Sequence, residues 1–274
     1  MSMSMSMSMS MAVEGCDYVR VDHDGGMLAC LVIDRPHKRN ALDRAGWHAL
    51  GTALTRLGAD RNLRCLIVTG VPGAFCAGDD IPAFAAVQDD AVARQGYWDT
   101  IMRCYAAISA VPVPVIAAID GPCIGGGCTL ALRADFRIAG PEASFAVPPA
   151  RLGLVYPADS TALLAHVVGD SFARYMLYSG QRIGAERAVS TGLAMDAGAS
   201  SGLAMARELA MEFAHSAPLS VRASKLVLNA VAAGKLDQVR DEVELLSHLA
   251  EQSADRREGT AAFKAKRLPK FSGN

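Results

Sequence analysis

Apolar residues recur along this chain with two different periods, and the switches between them mark out its elements. Tyr18, Val19 and Val21 alternate with polar neighbours, and after the Asp24-Gly25-Gly26 turn the run Met27 to Ile33 follows, which predicts an antiparallel hairpin. Leu42 to Leu57 carries apolar residues at helical spacing. Cys65 to Thr69, a short apolar run closed by Gly70, predicts a buried strand and completes a first β-α-β unit. A long helix over Asp89 to Ile108 ends before Pro112 and Pro114; Val115 to Ile119 then reads as a strand, Cys128 to Ala134 as a helix and Phe136 to Ala139 as a strand. Asp170 to Ser179 and Ala185 to Thr191 are predicted helical. Beyond Leu203 the chain reads as helix after helix, with Asp237 to Ser253 the longest.

Three regions follow from this pattern. Residues 1–14 are expected to be a disordered extension, because Met1 to Met11 alternates Met and Ser with neither a charged n-region nor a continuous apolar segment. Residues 15–200 form an α/β core, and 201–274 a helical region whose apolar faces serve packing or subunit contact.

Composition narrows the function classes. With 274 residues and 51% hydrophobic content the chain can bury a large core. A net charge of -1 gives no footprint for nucleic acid. The longest apolar candidate for a membrane span, from Val111, stops at Asp120, short of the roughly 18 to 20 residues a spanning helix needs. Seven cysteines, odd in number and without a C-x-x-C pair, argue against disulfide or zinc frameworks and for a reducing cytoplasm. The six histidines show no metal-ligand spacing, with His48 and His166 expected on helix surfaces or interfaces, and no metal is expected. Nor is there a nucleophile elbow, a zinc helix, a Walker loop or a dinucleotide fingerprint.

The stretch with the most chemistry is Gly125-Gly126-Gly127-Cys128-Thr129-Leu130, between an apolar strand and a helix. Three glycines let the backbone approach a ligand closely and leave N–H groups unpaired at the positive end of the helix, a geometry suited to an oxygen acquiring negative charge. A tight packing turn with no ligand is the alternative.

The order of motifs resembles the crotonase superfamily, the enoyl-CoA hydratase and isomerase group. The matching segments are Ile33-Asp34-Arg35-Pro36, Arg39-Asn40-Ala41-Leu42, Ala74 to Ile81, Pro114 to Leu130, Ala134 to Ala139, Ser144-Phe145, Arg151 to Leu154, Glu258-Gly259 and Lys266 to Phe271. The resemblance implies an α/β crotonase (ClpP/crotonase-like) spiral of β-β-α units with a C-terminal helical region, assembled as a homotrimer or a dimer of trimers. It implies acyl-CoA thioesters as substrates, with coenzyme A present only as part of the substrate and no separate cofactor. The N–H groups of Asp79 and Gly126 fall at the matching oxyanion positions. Lys38, Arg39, Ala41, Ala77, Ile81 and Lys266 are placed near coenzyme A, with Lys264, Arg267 and Lys270 as further tail cations.

Two departures set this chain apart. Thr129 and Pro149 stand where the family's hydratases carry two glutamates, and neither side chain is a useful base near neutral pH. Tyr156, in Leu152-Gly153-Leu154-Val155-Tyr156-Pro157, is similar to a tyrosine of methylmalonyl-CoA decarboxylases. Decarboxylation of an α-carboxy thioester creates the enolate without a base. The expected activity is therefore an acyl-CoA lyase, leaning to decarboxylation of a short α-carboxyacyl-CoA and involving Asp79, Gly126, Thr129 and Tyr156. An atypical hydratase with Asp79 as base, a non-catalytic acyl-CoA-binding protein and a thioesterase are the alternatives. The Asp79 carboxylate would repel a substrate carboxylate unless its side chain points away. Asp80 is expected to be structural, for example by capping the turn or helix after it, and Cys76 and Cys128 to serve as small packing residues.

Overall fold

In the computed structural model of the chain, residues 9–23 and 26–274 are described. Strands β1 (Met9–Val13), β2 (Cys16–His23) and β3 (Leu28–Ile33) lead into helix α1 (Arg44–Gly58) and strand β4 (Cys65–Gly70). Then come α2 (Ile81–Ala85), α3 (Ala91–Ala110), β5 (Val115–Ile119), β6 (Pro122–Ile124), α4 (Gly126–Leu132), β7 (Phe136–Ala139), β8 (Ser144–Ala146) and α5 (Pro149–Leu152). The remainder is α6 (Ala158–Val168), α7 (Asp170–Ser179), β9 (Ile183–Gly184), α8 (Ala185–Ser190), β10 (Asp196–Ala197), α9 (Gly202–Ala214), α10 (Pro218–Ala232), α11 (Arg240–Gln252) and α12 (Ala254–Lys264).

Seven strands form the main sheet in the order β1-β2-β3-β4-β5-β7-β10, and β6-β8-β9 form a smaller one. The first three strands pair antiparallel, and β3 to β10 pair parallel. Successive turns of the chain place one strand in each sheet: β5 and β7 lie parallel in the large sheet while β6 and β8 lie parallel in the small one, and a helix follows each pair. That is the β-β-α spiral.

Both faces of the central strands are buried, so their sequences read as continuous apolar runs. Leu31, Ile33, Leu66, Val68, Val115, Ala117 and Ile119 face the main core with Trp47, Phe75 and Phe145. The alternate residues Cys30, Val32, Cys65, Ile67, Ile116 and Ala118 pack under Ala206 and Ala210 of α9. Asp120 fixes the start of α9 by accepting the N–H groups of Gly202 and Leu203 at 2.7 and 3.1 Å.

Several expectations need correction. Residues 9–13, expected as part of a disordered extension, form β1; residues 1–8 lie outside the described residues. The Met-Ser alternation has the strand period, and β2 offers an unpaired edge, with Ser10 Oγ donating to Asp22 at 2.6 Å across the pair. The β2–β3 hairpin forms, paired from Val19–Ile33 to His23–Ala29, but Asp24 and Gly25 of its expected turn lie outside the described residues. The longest tail helix is α10, at 15 residues, because Leu236–Val239 tighten into a 3-10 turn ahead of α11.

Near its end the chain folds back. Buried Asp255 accepts from Ser272 N at 2.7 Å and Gly273 N at 2.9 Å. Arg64 donates to the Ser272 carbonyl at 2.8 Å, tying this segment to the residues before β4.

Candidate active site

Two loops are stitched together beside the start of α4. Ala77 N–H donates to Arg39 O at 3.1 Å, Leu42 N–H to Gly78 O at 2.8 Å and Asp80 N–H to Leu42 O at 2.9 Å. Asn40, fully buried and in the left-handed region (φ 57°), anchors the first loop: its Oδ1 accepts from Arg35 N at 2.9 Å and its Nδ2 donates to Ala74 O at 2.7 Å. This ladder carries Lys38, Arg39, Ala41, Ala77 and Ile81 together. Arg39 O and Ala77 N are spent within it, Ala41 O accepts from Arg35 at 3.1 Å, Lys38 pairs with Asp80 at 3.6 Å, and Ile81 is exposed at the start of α2. Lys266 sits beyond α12 in a left-handed turn (φ 51°), and no hydrogen bond or ion pair joins it to these loops among the described residues.

The glycine turn meets the second loop at a distance only glycine permits. A Cβ on Gly78 would stand 2.8 Å from Ile124 O and 2.9 Å from Gly126 N, and one on Gly127 would stand 2.2 Å from Cys76 O. The Gly126 N–H, in the first turn of α4, and the Asp79 N–H have no backbone acceptor among the described residues. The Gly126 N–H, at the positive end of a helix, is open to an anionic oxygen, and the Asp79 N–H faces its own carboxyl group.

The Asp79 carboxyl lies among these groups. Its Oδ1 accepts from the indole Nε1 of Trp47 at 3.0 Å, and its Oδ2 is 3.1 Å from where a Cβ on Gly126 would be. Burial pushes its pKa up to about 6, against the opposing effects of the Trp47 donor and the residue's own N–H. Tyr105 stands edge-on to Trp47 with ring centroids 5.5 Å apart and donates to Gly126 O at 3.1 Å. Burial raises the pKa of Tyr105 and Tyr97 and lifts the Cys76 thiol to about 12, leaving Asp79 the group here that titrates near neutrality.

Thr129 and Tyr156 join the same cluster. The Tyr156 hydroxyl donates to Gly125 O at 2.9 Å and also bonds the Thr129 hydroxyl. A phenol has one proton, so the Thr129 hydroxyl is the donor to Tyr156, and neither group is free to act as a base. Burial also raises the Tyr156 pKa. Pro149, buried at the start of α5, contributes a carbonyl to Leu154 N–H at 3.0 Å and no titratable group.

Asp80 is structural as expected, but not as a cap. It is the N-cap residue of α2, but its carboxylate makes no capping bond; buried Asp80 instead pairs with Arg35 at 2.8 Å, and Arg35 also reaches Asp43 at 3.2 Å. With two cations at hand, the carboxylate is drawn to charge rather than to helix N–H groups. Cys76 and Cys128 are buried, while His48 and His166 are exposed on α1 and α6. Among the described residues no three His, Cys, Asp or Glu side chains are grouped to hold a metal ion, and no helix is long and apolar enough to cross a membrane.

Trp47 and Tyr105 are the residues touching Asp79 and Gly126 that sequence reasoning missed. Each occupies a core position of its helix and is easily taken for simple packing. The signal available is chemical: a buried indole N–H or phenol needs an acceptor, and its partner lies in another segment.

Comparison with known proteins is consistent along the chain. A family model described as enoyl-CoA hydratase/isomerase matches residues 25–274. The chain is 36% identical over 243 residues to "Probable enoyl-CoA hydratase echA6" of Mycobacterium tuberculosis, covering 89% of this chain and 95% of that one. It is also 36% identical over 249 residues to 2,3-dehydroadipyl-CoA hydratase of Escherichia coli, covering 89% and 94%. The crystal structure of an enoyl-CoA hydratase from Bacillus anthracis superposes with a TM-score of 0.86 at 30% identity, covering 94% of this chain and 100% of that one.

Proposed function

The chain belongs to the enoyl-CoA hydratase/isomerase family, with the crotonase fold, and on that premise we propose that it is an acyl-CoA lyase that stabilises a thioester enolate. The Asp79 and Gly126 N–H groups form the oxyanion hole, and the reaction is decarboxylation of a short α-carboxyacyl-CoA. The observation that carries this reading is that one titratable carboxyl, Asp79, borders the Asp79 and Gly126 N–H groups, neither of which is taken by a main-chain acceptor among the described residues, while Thr129 and Tyr156 are committed to each other and to Gly125.

Decarboxylation asks for no more than that. The bond between the α carbon and the carboxylate breaks, CO2 leaves, and the electron pair passes into the enolate held by the two N–H groups. Losing one such donor typically costs about 2.7 to 4 kcal/mol of transition-state stabilisation. The α carbon then takes a proton from the Asp79 carboxylic acid, and solvent returns one to the carboxylate. A raised pKa keeps part of Asp79 protonated near neutrality, and a substrate carboxylate alongside raises it further, turning repulsion into a hydrogen bond. Lys38, Arg39, Ala41, Ala77 and Ile81 on the stitched loops, with Lys266 from the tail, bind the coenzyme A portion. The protein acts in the cytoplasm as a homotrimer or a dimer of trimers.

A second reading, hydration of an α,β-double bond with Asp79 as the lone acid and base, is favoured by the hydratase names of the 36%-identical relatives. Mass spectrometry of the purified protein with methylmalonyl-CoA, ethylmalonyl-CoA, crotonyl-CoA and longer enoyl-CoAs separates the two. Loss of CO2 supports decarboxylation and gain of one water the second reading. Release of free CoA indicates a thioesterase, and binding without chemical change overturns both.

A further inference from the structure

Asp79 offers two carboxyl oxygens in different surroundings, and the difference is built by one side chain. Trp47, fully buried on α1, gives its indole N–H to Oδ1 at 3.0 Å, while Oδ2 turns toward Gly126, the residue whose N–H is free. An oxygen already accepting a hydrogen bond from an N–H is the poorer seat for a proton, so a protonated Asp79 carries it on the other oxygen. The indole itself is held in place. Tyr105 packs edge-on against it, and its Cζ2 lies close to Gly126, 3.2 Å from where a Cβ on that residue would be.

We infer that Trp47 is a positioning residue: by occupying Oδ1 it reserves Oδ2 of Asp79 as the oxygen that carries the proton and presents it to the face of the enolate bound at Gly126. The inference rests on the enolate-stabilising reading of the site. It adds that the proton comes from one oxygen on one side, so that protonation at the α carbon is stereospecific and depends on an indole that never touches the substrate.

The titratable and charged groups around Asp79 leave this assignment clear. Tyr97 and Tyr105 approach from α3, Tyr156 from the segment before α6, and Cys76 from the same loop; burial holds all four in their neutral forms near pH 7. Arg133 at the end of α4 lies over the Tyr105 ring, 5.5 Å from its centroid. Arg35, Asp43 and Asp80 form their own ion-pair group, which Lys38 joins at 3.6 Å from Asp80.

Two measurements on the full chain test the inference. In the wild-type protein the indole N–H resonance of Trp47 is followed by NMR from pH 4.5 to 8 together with the Asp79 side-chain carbon. Both are expected to titrate with one midpoint, and the indole resonance becomes independent of pH in Asp79→Asn. In Trp47→Phe the Asp79 midpoint is expected to rise by about one pH unit, because the charged form loses a donor. Tyr105→Phe, an equally buried change beside the same ring, leaves the midpoint in place. A Trp47 resonance insensitive to Asp79, or equal shifts in the two variants, overturns the inference; should Trp47→Phe fail to fold, the wild-type titration decides alone.

The second measurement is turnover of methylmalonyl-CoA in D2O. The wild-type product is expected to carry deuterium at C2 in one configuration and the Trp47→Phe product in both. Retained stereospecificity in Trp47→Phe overturns proton delivery through a reserved oxygen. Absence of turnover in the wild type overturns the functional reading instead, with the titration still deciding whether Trp47 positions Asp79.

Discussion

Tyr156 donates its hydroxyl proton to the carbonyl of Gly125, 31 residues earlier in the chain, and receives the proton of Thr129, the first residue of α4 whose N–H returns to Gly125. The phenol thus bridges the glycine turn and the helix that follows. Removing it leaves a Thr129 hydroxyl without its acceptor in a buried place. Tyr156→Phe is expected to lower stability by about 1 to 2 kcal/mol. The double variant with Thr129→Val should lose less than the sum of the two single losses, by about 0.5 kcal/mol or more, because both remove one bond. Urea unfolding of the four proteins measures this, and strict additivity would show that the two hydroxyls act separately.

Asp79 makes stability depend on pH in an unusual direction. Its folded pKa, up to about 6, lies above that of an ordinary aspartate, so the folded state holds the proton more tightly than the unfolded chain. This contribution is favourable below the unfolded value, fades as pH rises from about 4 to about 6, and leaves the ionised carboxylate as a burden at pH 7.5, of at most about 3 kcal/mol. Asp79→Asn carries no such dependence. Its stability relative to wild type is expected to improve between pH 4 and pH 7.5 while turnover is lost; a difference in unfolding midpoints that stays constant with pH contradicts the assignment.

Gly127→Ala asks for a methyl group 2.2 Å from the Cys76 carbonyl, a main-chain atom that cannot rotate away. The turn must shift, at an expected cost of about 1 to 3 kcal/mol. Turnover should fall further than stability, because the neighbouring Gly126 N–H moves with it. Retention of wild-type kcat in a folded Gly127→Ala protein would argue against a role for this turn in the reaction.

What the sequence made legible follows from the range of each signal. Strand β5 and helix α7 were readable end to end, since a buried apolar run bounded by Pro112-Pro114 and Asp120, and an amphipathic segment closed by Gly180, carry their own punctuation. The three-residue strands β6 and β8 were not, because their identity depends on pairing with each other across the sheet. In the site, Gly126 stood out because a run of glycines is local information, while Asp79 was reached through the resemblance of the Ala74 to Ile81 segment to the family. The Trp47–Asp79 bond, spanning 32 residues, and the Arg35–Asp80 ion pair, spanning 45, are products of the loops meeting, and no local pattern encodes them.

Asp255 holds the returning chain end by accepting two main-chain N–H groups. Asp255→Ala should leave those donors unpaired and lower stability by about 1 to 2 kcal/mol. Hydrogen exchange at Ser272 and Gly273 is expected to accelerate sharply, with α9 unaffected; unchanged protection there would mean that Arg64 and the bond from Ala254 N–H to the Asn274 carbonyl, at 2.7 Å, suffice to hold the segment.

The two N–H groups at the centre of the site belong to the main chain, and a ladder of main-chain bonds and glycine contacts fixes where they point. No codon specifies them directly. The acids and hydroxyls around these two N–H groups can therefore be exchanged without changing where the N–H groups point.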